Sequence, residues 1–221
     1  MIDNPLFENN IIEDSCSLVE EARVRDIDVL LEDLPLLRGA SFISQLKEIT
    51  VHPSFYLVKN ENNIFSTGGE SSEDYDNLLK TARKAEEHGY RVFILPNPKG
   101  IRTADYIFER KGVFKMFDLK TISGKNSVGN RLKESIGQTN CVLLNIVCDY
   151  NVRNLTLEIK RYFESNADAF EVLIFTGRKE ISIKRNIATS RGFLKMMMKS
   201  IIAVFLSFSW KFGDLFLYLQ T

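Results

Sequence analysis

The chain has 221 residues, 44% hydrophobic and 26% charged, proportions that fit an ordinary globular domain and exclude wholesale disorder and collagen-like sequence. Its 29 basic residues match its 29 acidic ones, so bulk charge predicts no particular partner. The distribution says more: Met1–Arg38 carries ten acids against three bases, residues 97–138 nine bases against four acids, and residues 178–221 eight bases against two acids, which makes local anion binding feasible.

In chain order, the spacing of Leu18, Ala22, Ile27, Leu30, Leu31 and Leu34 is loosely helical and is interrupted by Pro35. Residues Ser54–Asn60 (SFYLVKN) read as a strand. No catalytic constellation falls in residues 1–66, whose expected role is an acidic, mostly helical cap or docking region. STGGESSED (Ser66–Asp74) is the best linker in the chain. A helix follows, with Tyr75, Leu78, Leu79, Ala82 and Ala85 on one face and Gly89 ending it. YRVFILP is an apolar strand stopped by Pro96 and Pro98.

ADYIF and VFKMFDLKT then flank ERKG as a hairpin. A helix is predicted from about Ser127 to Gln138, with Val128, Leu132 and Ile136 four apart. CVLLNIV has the continuous apolar character of a strand buried on both faces. Val152, Leu155, Ile159, Tyr162 and Phe163 outline another helix, and EVLIFTG a further strand. The order α-β-β-β-α-β-α-β implies an α/β fold, a mixed sheet covered by helices. Three segments are expected: residues 1–66, a central domain over 67–187, and a hydrophobic, basic tail over 188–221. In that tail the eleven uncharged residues Ser200–Trp210 fall well short of the ~20 a membrane-spanning helix needs. A packed helix is expected there; adhesion to a membrane surface, flanked by Lys195, Lys199 and Lys211, is the alternative.

Cys16, Cys141 and Cys148 give an odd count without zinc-ligand spacing, and the last two bound an apolar run where a reduced thiol acts as a small hydrophobe. A reducing compartment follows. MIDNPLFENN is acidic where a secretory signal would be basic, so a bacterial cytoplasm, or a target cytoplasm into which the chain is delivered, is expected. His52 and His88 are isolated and suggest no site.

The chemistry lies in TADYIFERKGVFKMFDLKT. If the hairpin turns at Lys111–Gly112, Arg110 pairs with Val113 and Asp105 falls directly opposite Asp118. Strand alternation puts Lys120 on the face of Asp118. Opposed side chains in such a pair sit ~4.5–5.5 Å apart at Cβ, where like charges repel. Two facing carboxylates therefore suggest a hard divalent cation such as Mg²⁺. A metal so held can polarise a phosphodiester and activate water, with Lys120 orienting that water or offsetting charge on the phosphorane. A solvated hairpin face, with Asp105 and Lys120 paired diagonally, is the plain structural alternative. Lys99, Arg102, Lys125 and Lys133 could hold backbone phosphates.

Asp105, twelve intervening residues, then Asp118-Leu119-Lys120 resembles the D-(D/E)-x-K signature of the PD-(D/E)XK nuclease superfamily. The resemblance runs from about Tyr75 to Lys184 and is nearest to the tRNA nuclease toxin domains at the C-terminus of CdiA contact-dependent inhibition proteins. It implies a nuclease-like α-β-β-β-α-β core, with Asp105 and Asp118 as metal-binding acids and Lys120 as the catalytic lysine. Ala104 stands where the signature has proline, and Asp118 where glutamate is commoner. Members often add an acid from the first helix, for which Asp76 and Glu86 are the candidates. Ser127, Arg131 and Gln138, sharing one face of the following helix, correspond to a substrate-facing polar surface. The function implied is a metal-dependent endonuclease acting on tRNA or DNA, with Mg²⁺ as cofactor and a cognate immunity protein as partner. The alternative is a non-catalytic nucleic-acid-binding or structural module of a phage or mobile element.

Overall fold

The structure is a computed structural model and describes residues 24–68, 73–97, 103–124 and 127–200. Eight strands form one mixed sheet in sequential order: β1 (Tyr56–Leu57), β2 (Ile64–Ser66), β3 (Arg91–Ile94), β4 (Tyr106–Arg110), β5 (Val113–Ile122), β6 (Cys141–Ile146), β7 (Glu171–Thr176) and β8 (Lys179–Lys184). Pairings are parallel between β2 and β3, β5 and β6, and β6 and β7, and antiparallel elsewhere. The helices are α1 (Ile27–Asp33), α2 (Gly39–Thr50), α3 (Glu73–Glu87), α4 (Val128–Glu134), α5 (Val152–Ser165) and the short α6 (Arg185–Ala188), and residues 193–200 are also helical. From α3 through β7 the element order is the one the sequence patterns predict, and β8 and α6 are added beyond it.

Each helix buries the face its pattern dictates. Ala82 and Ala85 of α3 bury against Val92, Tyr106, Phe108, Phe117, Leu119 and Leu143, with Tyr75, Leu78 and Leu79 partly buried beside them. Gly89, at φ 80°, supplies the left-handed residue that ends this helical stretch. On the opposite sheet face, Leu155, Ile159 and Phe163 of α5 pack with Val128 and Leu132 of α4 on Ile122, Val142, Leu144 and Ile174. Asn151 starts α5 by accepting hydrogen bonds from the Arg153 and Asn154 N–H groups. The first half of that same face is covered by α1 and α2, through Leu30, Leu31, Leu46 and Ile49 against Phe93, Leu95 and Ile107.

Several expectations change. The predicted strand over Ser54–Asn60 shrinks to Tyr56–Leu57, because the polar residues that follow turn back toward β2. Residues before 66 do more than cap: β1 and β2 are sheet members, and β2 pairs with β3. The helix predicted to reach Gln138 ends at Glu134, since Gly137 takes φ 86°. At the other end, Ala188, Phe193 and Met197 are buried in the main core beyond residue 187. No helix among the described residues is long and apolar enough to cross a membrane; residues 201–221, with most of the apolar tail, lie outside them, as does Cys16.

Candidate active site

The site begins with a two-residue turn. Lys111 and Gly112, at φ 55° and 76°, both adopt the left-handed conformation that matches the twist of a hairpin, and Glu109 accepts from the Gly112 N–H at 2.7 Å. The register runs from Arg110 opposite Val113 to Tyr106 opposite Phe117. The ladder ends there, and the preceding Asp105 N–H donates to the carbonyl of that same Phe117 at 3.0 Å. Asp105 thus arrives beside Asp118, and its Oδ2 accepts from the Leu119 N–H at 2.5 Å. Lys120 donates from Nζ to Asp118 Oδ1 at 2.7 Å. Asp118 is only 2% exposed.

The electrostatics follow from that placement. Burial pushes the Asp105 carboxyl up to about 6. The Leu119 N–H pulls it down, the Asp118 carboxylate pushes it up again, and Lys120 opposes that push. A proton or a cation between two such carboxylates relieves their repulsion. Carboxylate oxygens are the donors a hard divalent ion takes, and Asp105 and Asp118 are the residues that could supply them. Among the described residues no group of three or more His, Cys, Asp or Glu side chains gathers, so the pair stands without a third acidic side chain.

The other predicted residues divide. Asp76 is exposed near the start of α3. Glu86 lies toward the far end of that helix and accepts from the Asn63 backbone N–H at 2.7 Å, so the structure does not bring it to the acids. Asp118 and Lys120 do not face this helix. Phe117 and Leu119 pack toward α3, and Thr121 accepts from Asn77 of α3. Asp118 and Lys120 alternate with these and point to the opposite face, that of α4 and α5. Ser127 precedes α4 and donates to the Gly124 carbonyl. Arg131 is exposed and pairs with Glu134 at 2.9 Å. Gln138 falls after the helix end, so the face it was to share with Ser127 and Arg131 does not form. Lys133 is exposed; Lys99, Arg102 and Lys125 lie outside the described residues. His52 contacts the Arg25 carbonyl, and His88 stacks on Phe175.

Two features escaped the sequence patterns. Tyr162 of α5 is buried near the site: burial raises its phenol, Ser135 and Asn166 oppose this, and the charges of Cys141 and Asp118 raise it further. On the α3 face, Lys84 donates to Asn145 at 2.7 Å and Asn145 to Thr81 at 3.2 Å; burial lowers the Lys84 ammonium. The signal for this second cluster was the lone polar residue in CVLLNIV. Cys141 behaves as the apolar run suggests, its thiol pushed to about 12 by burial.

The fold and the site together define a mixed α/β protein with an eight-stranded sheet and one buried and one half-buried acid beside a lysine. No family model matches the chain, and no curated protein matches it. Among solved structures it is similar to a CdiA-CT/CdiI toxin and immunity complex from Burkholderia pseudomallei, at 19% identity and a TM-score of 0.37, over 53% of this chain and 92% of that one.

Proposed function

We propose that the chain is a metal-dependent endonuclease of toxin type that hydrolyses phosphodiester bonds, with tRNA as the favoured substrate. The observation that carries this reading is the gathering of Asp105, Asp118 and Lys120, with Lys120 2.7 Å from Asp118 and the Asp105 carboxylate on the Leu119 N–H between them. The PD-(D/E)XK resemblance of the motif supplies the reaction class, and its likeness to nuclease toxin domains supplies the substrate.

Asp105 and Asp118 would hold Mg²⁺, which when bound polarises the scissile phosphate and lowers the pKa of a coordinated water. Lys120 presents a fixed positive charge where negative charge develops on the phosphorus oxygens. Water adds its oxygen to phosphorus and gives up a proton to solvent, the bond to the leaving ribose oxygen breaks, and that oxygen takes up a proton from solvent. A toxin of this kind acts on nucleic acid in a target cytoplasm and needs a cognate immunity protein in the cell that makes it.

The test is incubation with total RNA and with plasmid DNA, in Mg²⁺ or EDTA. Discrete RNA products that vanish with EDTA and with Asp118→Ala are expected; intact RNA and DNA in every lane would refute the assignment. One observation favours a second reading. The buried Asp118–Lys120 pair also satisfies a non-catalytic nucleic-acid-binding or structural module of a phage or mobile element. A Mg²⁺ titration leaving the carboxyl NMR signals of both acids unmoved would select that module.

A further inference from the structure

A groove of about 980 Å³ opens between α2 and the segment that follows α4, on the sheet face that carries Asp118. Phe114 and Met116 of β5 form its floor, and the next residue on that face is Asp118. Gln138, displaced from its predicted helical face, lines the wall.

The groove is basic as well as aromatic. Arg38, Lys184 and Arg185 contribute to its lining, and none of the three forms an ion pair among the described residues. Arg38 is fixed by the Pro35 and Leu37 carbonyls, and Arg185 by carbonyls at the end of α5, Phe163 and Asn166 among them. Carbonyls hold these guanidinium groups in place but cancel only part of their charge. Phe170 stands at the rim, 52% exposed. Its N–H donates to the Asn140 carbonyl at 2.7 Å, and the Lys184 ammonium lies 5.9 Å from its ring centroid.

We infer that this groove is a binding site for single-stranded nucleic acid, which seats unpaired bases against Phe170 and their phosphates against Lys184 and Arg38 before the chain passes Asp118. An exposed aromatic ring beside an ammonium suits an unstacked base, whose π-face is open, while a duplex hides its base faces. The inference rests on the nuclease reading for the identity of the polymer and adds to it a preference for unpaired segments.

The experiment is fluorescence anisotropy in EDTA, so that cleavage plays no part. The probe is a dye-labelled single-stranded RNA of about a dozen nucleotides, a length in the range such sites cover, alone or annealed to its complement. The single strand is expected to bind more tightly than the duplex. Phe170→Ala should weaken it about tenfold, the scale of one lost stacking contact, and Phe170→Trp should retain affinity. Lys184→Gln should reduce the slope of log affinity against log salt by about one. Equal affinity for the duplex, or Phe170→Ala binding as the parent does, overturns the site. So does a synthetic peptide of residues 1–23, an acidic segment, that shields Phe170 when the RNA does not bind. Asp118-dependent cleavage with no groove binding rejects the groove alone; groove binding with no Mg²⁺-dependent cleavage rejects the nuclease reading alone.

Discussion

Lys120 and Asp118 form a contact of 2.7 Å in which the lysine side chain is 13% exposed and the aspartate side chain 3%. A pair this buried is strong only while both partners remain, because removing one leaves the other charged in a medium that solvates it poorly. Lys120→Met should therefore lose about 3 kcal/mol or more of stability, the scale for one broken buried pair. Mg²⁺ should restore much of the lost melting temperature by replacing the missing positive charge. The same variant should cleave on the order of 10²–10³ slower, as when one electrostatic donor is lost, with nucleic-acid affinity little changed. Thermal melts and single-turnover rates on one preparation separate the effects. Full-rate cleavage by Lys120→Met would remove the lysine from the mechanism.

Asp105 gives a pH signature of definite sign. Its carboxyl is raised from 3.8 to about 6, chiefly by burial. Between those values the folded chain binds more protons than the unfolded one, so stability falls as pH rises through the window and levels off above it. Asp105→Asn should flatten that decline, and saturating Mg²⁺ should shift it to lower pH by favouring the ionised form. Denaturant titrations across the window, with and without Mg²⁺, read both effects. A parent protein whose stability rises from pH 4 to pH 6 with the same slope as Asp105→Asn would contradict the assignment.

The hairpin was legible because Lys111–Gly112 between alternating strands specifies both turn and register, and that register carries the chain to Asp105 at the end of the ladder. The sheet face that Asp118 and Lys120 occupy was not legible. That depends on where α3, α4 and α5 pack, a long-range matter that the period-two pattern of β5 leaves open. Gln138 was misplaced because the Val128–Ile136 spacing suits a longer helix, while Gly137 takes a left-handed conformation and redirects the chain. The α2 helix escaped notice for a related reason: Gln45 and Thr50 are buried on it beside Leu46 and Ile49. Gln45 is satisfied by the Leu30 carbonyl and by Arg25, so the apolar stripe is interrupted by polar residues whose partners are distant in sequence.

Glu180 ties the far edge of the sheet back to its middle. It accepts from Tyr90 at 2.6 Å and from two nitrogens of Arg110 at 2.9 and 3.1 Å, although β8 and β4 are separated by three strands. The Arg110 guanidinium also lies 4.1 Å from the Tyr90 ring centroid. Glu180→Ala deprives the Tyr90 hydroxyl and Arg110 of their acceptor, and a loss of about 2–3 kcal/mol is expected, in line with hydrogen bonds to charged groups. Because the network lies away from Asp118, single-turnover cleavage per folded molecule should not change. A variant as stable as the parent in urea would show that the network adds nothing to the fold.

The end of the described chain yields the last expectation. Phe193 and Met197 are 2% and 0% exposed and belong to the core that holds Leu155, Ile159 and Ile183. Ending the chain after Arg191 removes both and uncovers apolar surface on α5 and β8, which favours self-association. Truncation of either side chain creates a cavity, for which Phe193→Ala should lose roughly 3–5 kcal/mol and Met197→Ala roughly 2–5 kcal/mol. The truncated chain should melt earlier than the parent and aggregate on concentration. The point variants, which keep the backbone, should stay monomeric and lose stability alone. Size-exclusion chromatography with light scattering and a urea titration distinguish these outcomes. A truncated chain that is monomeric, with an unchanged melting temperature, would show that the segment after Arg191 is an appendage.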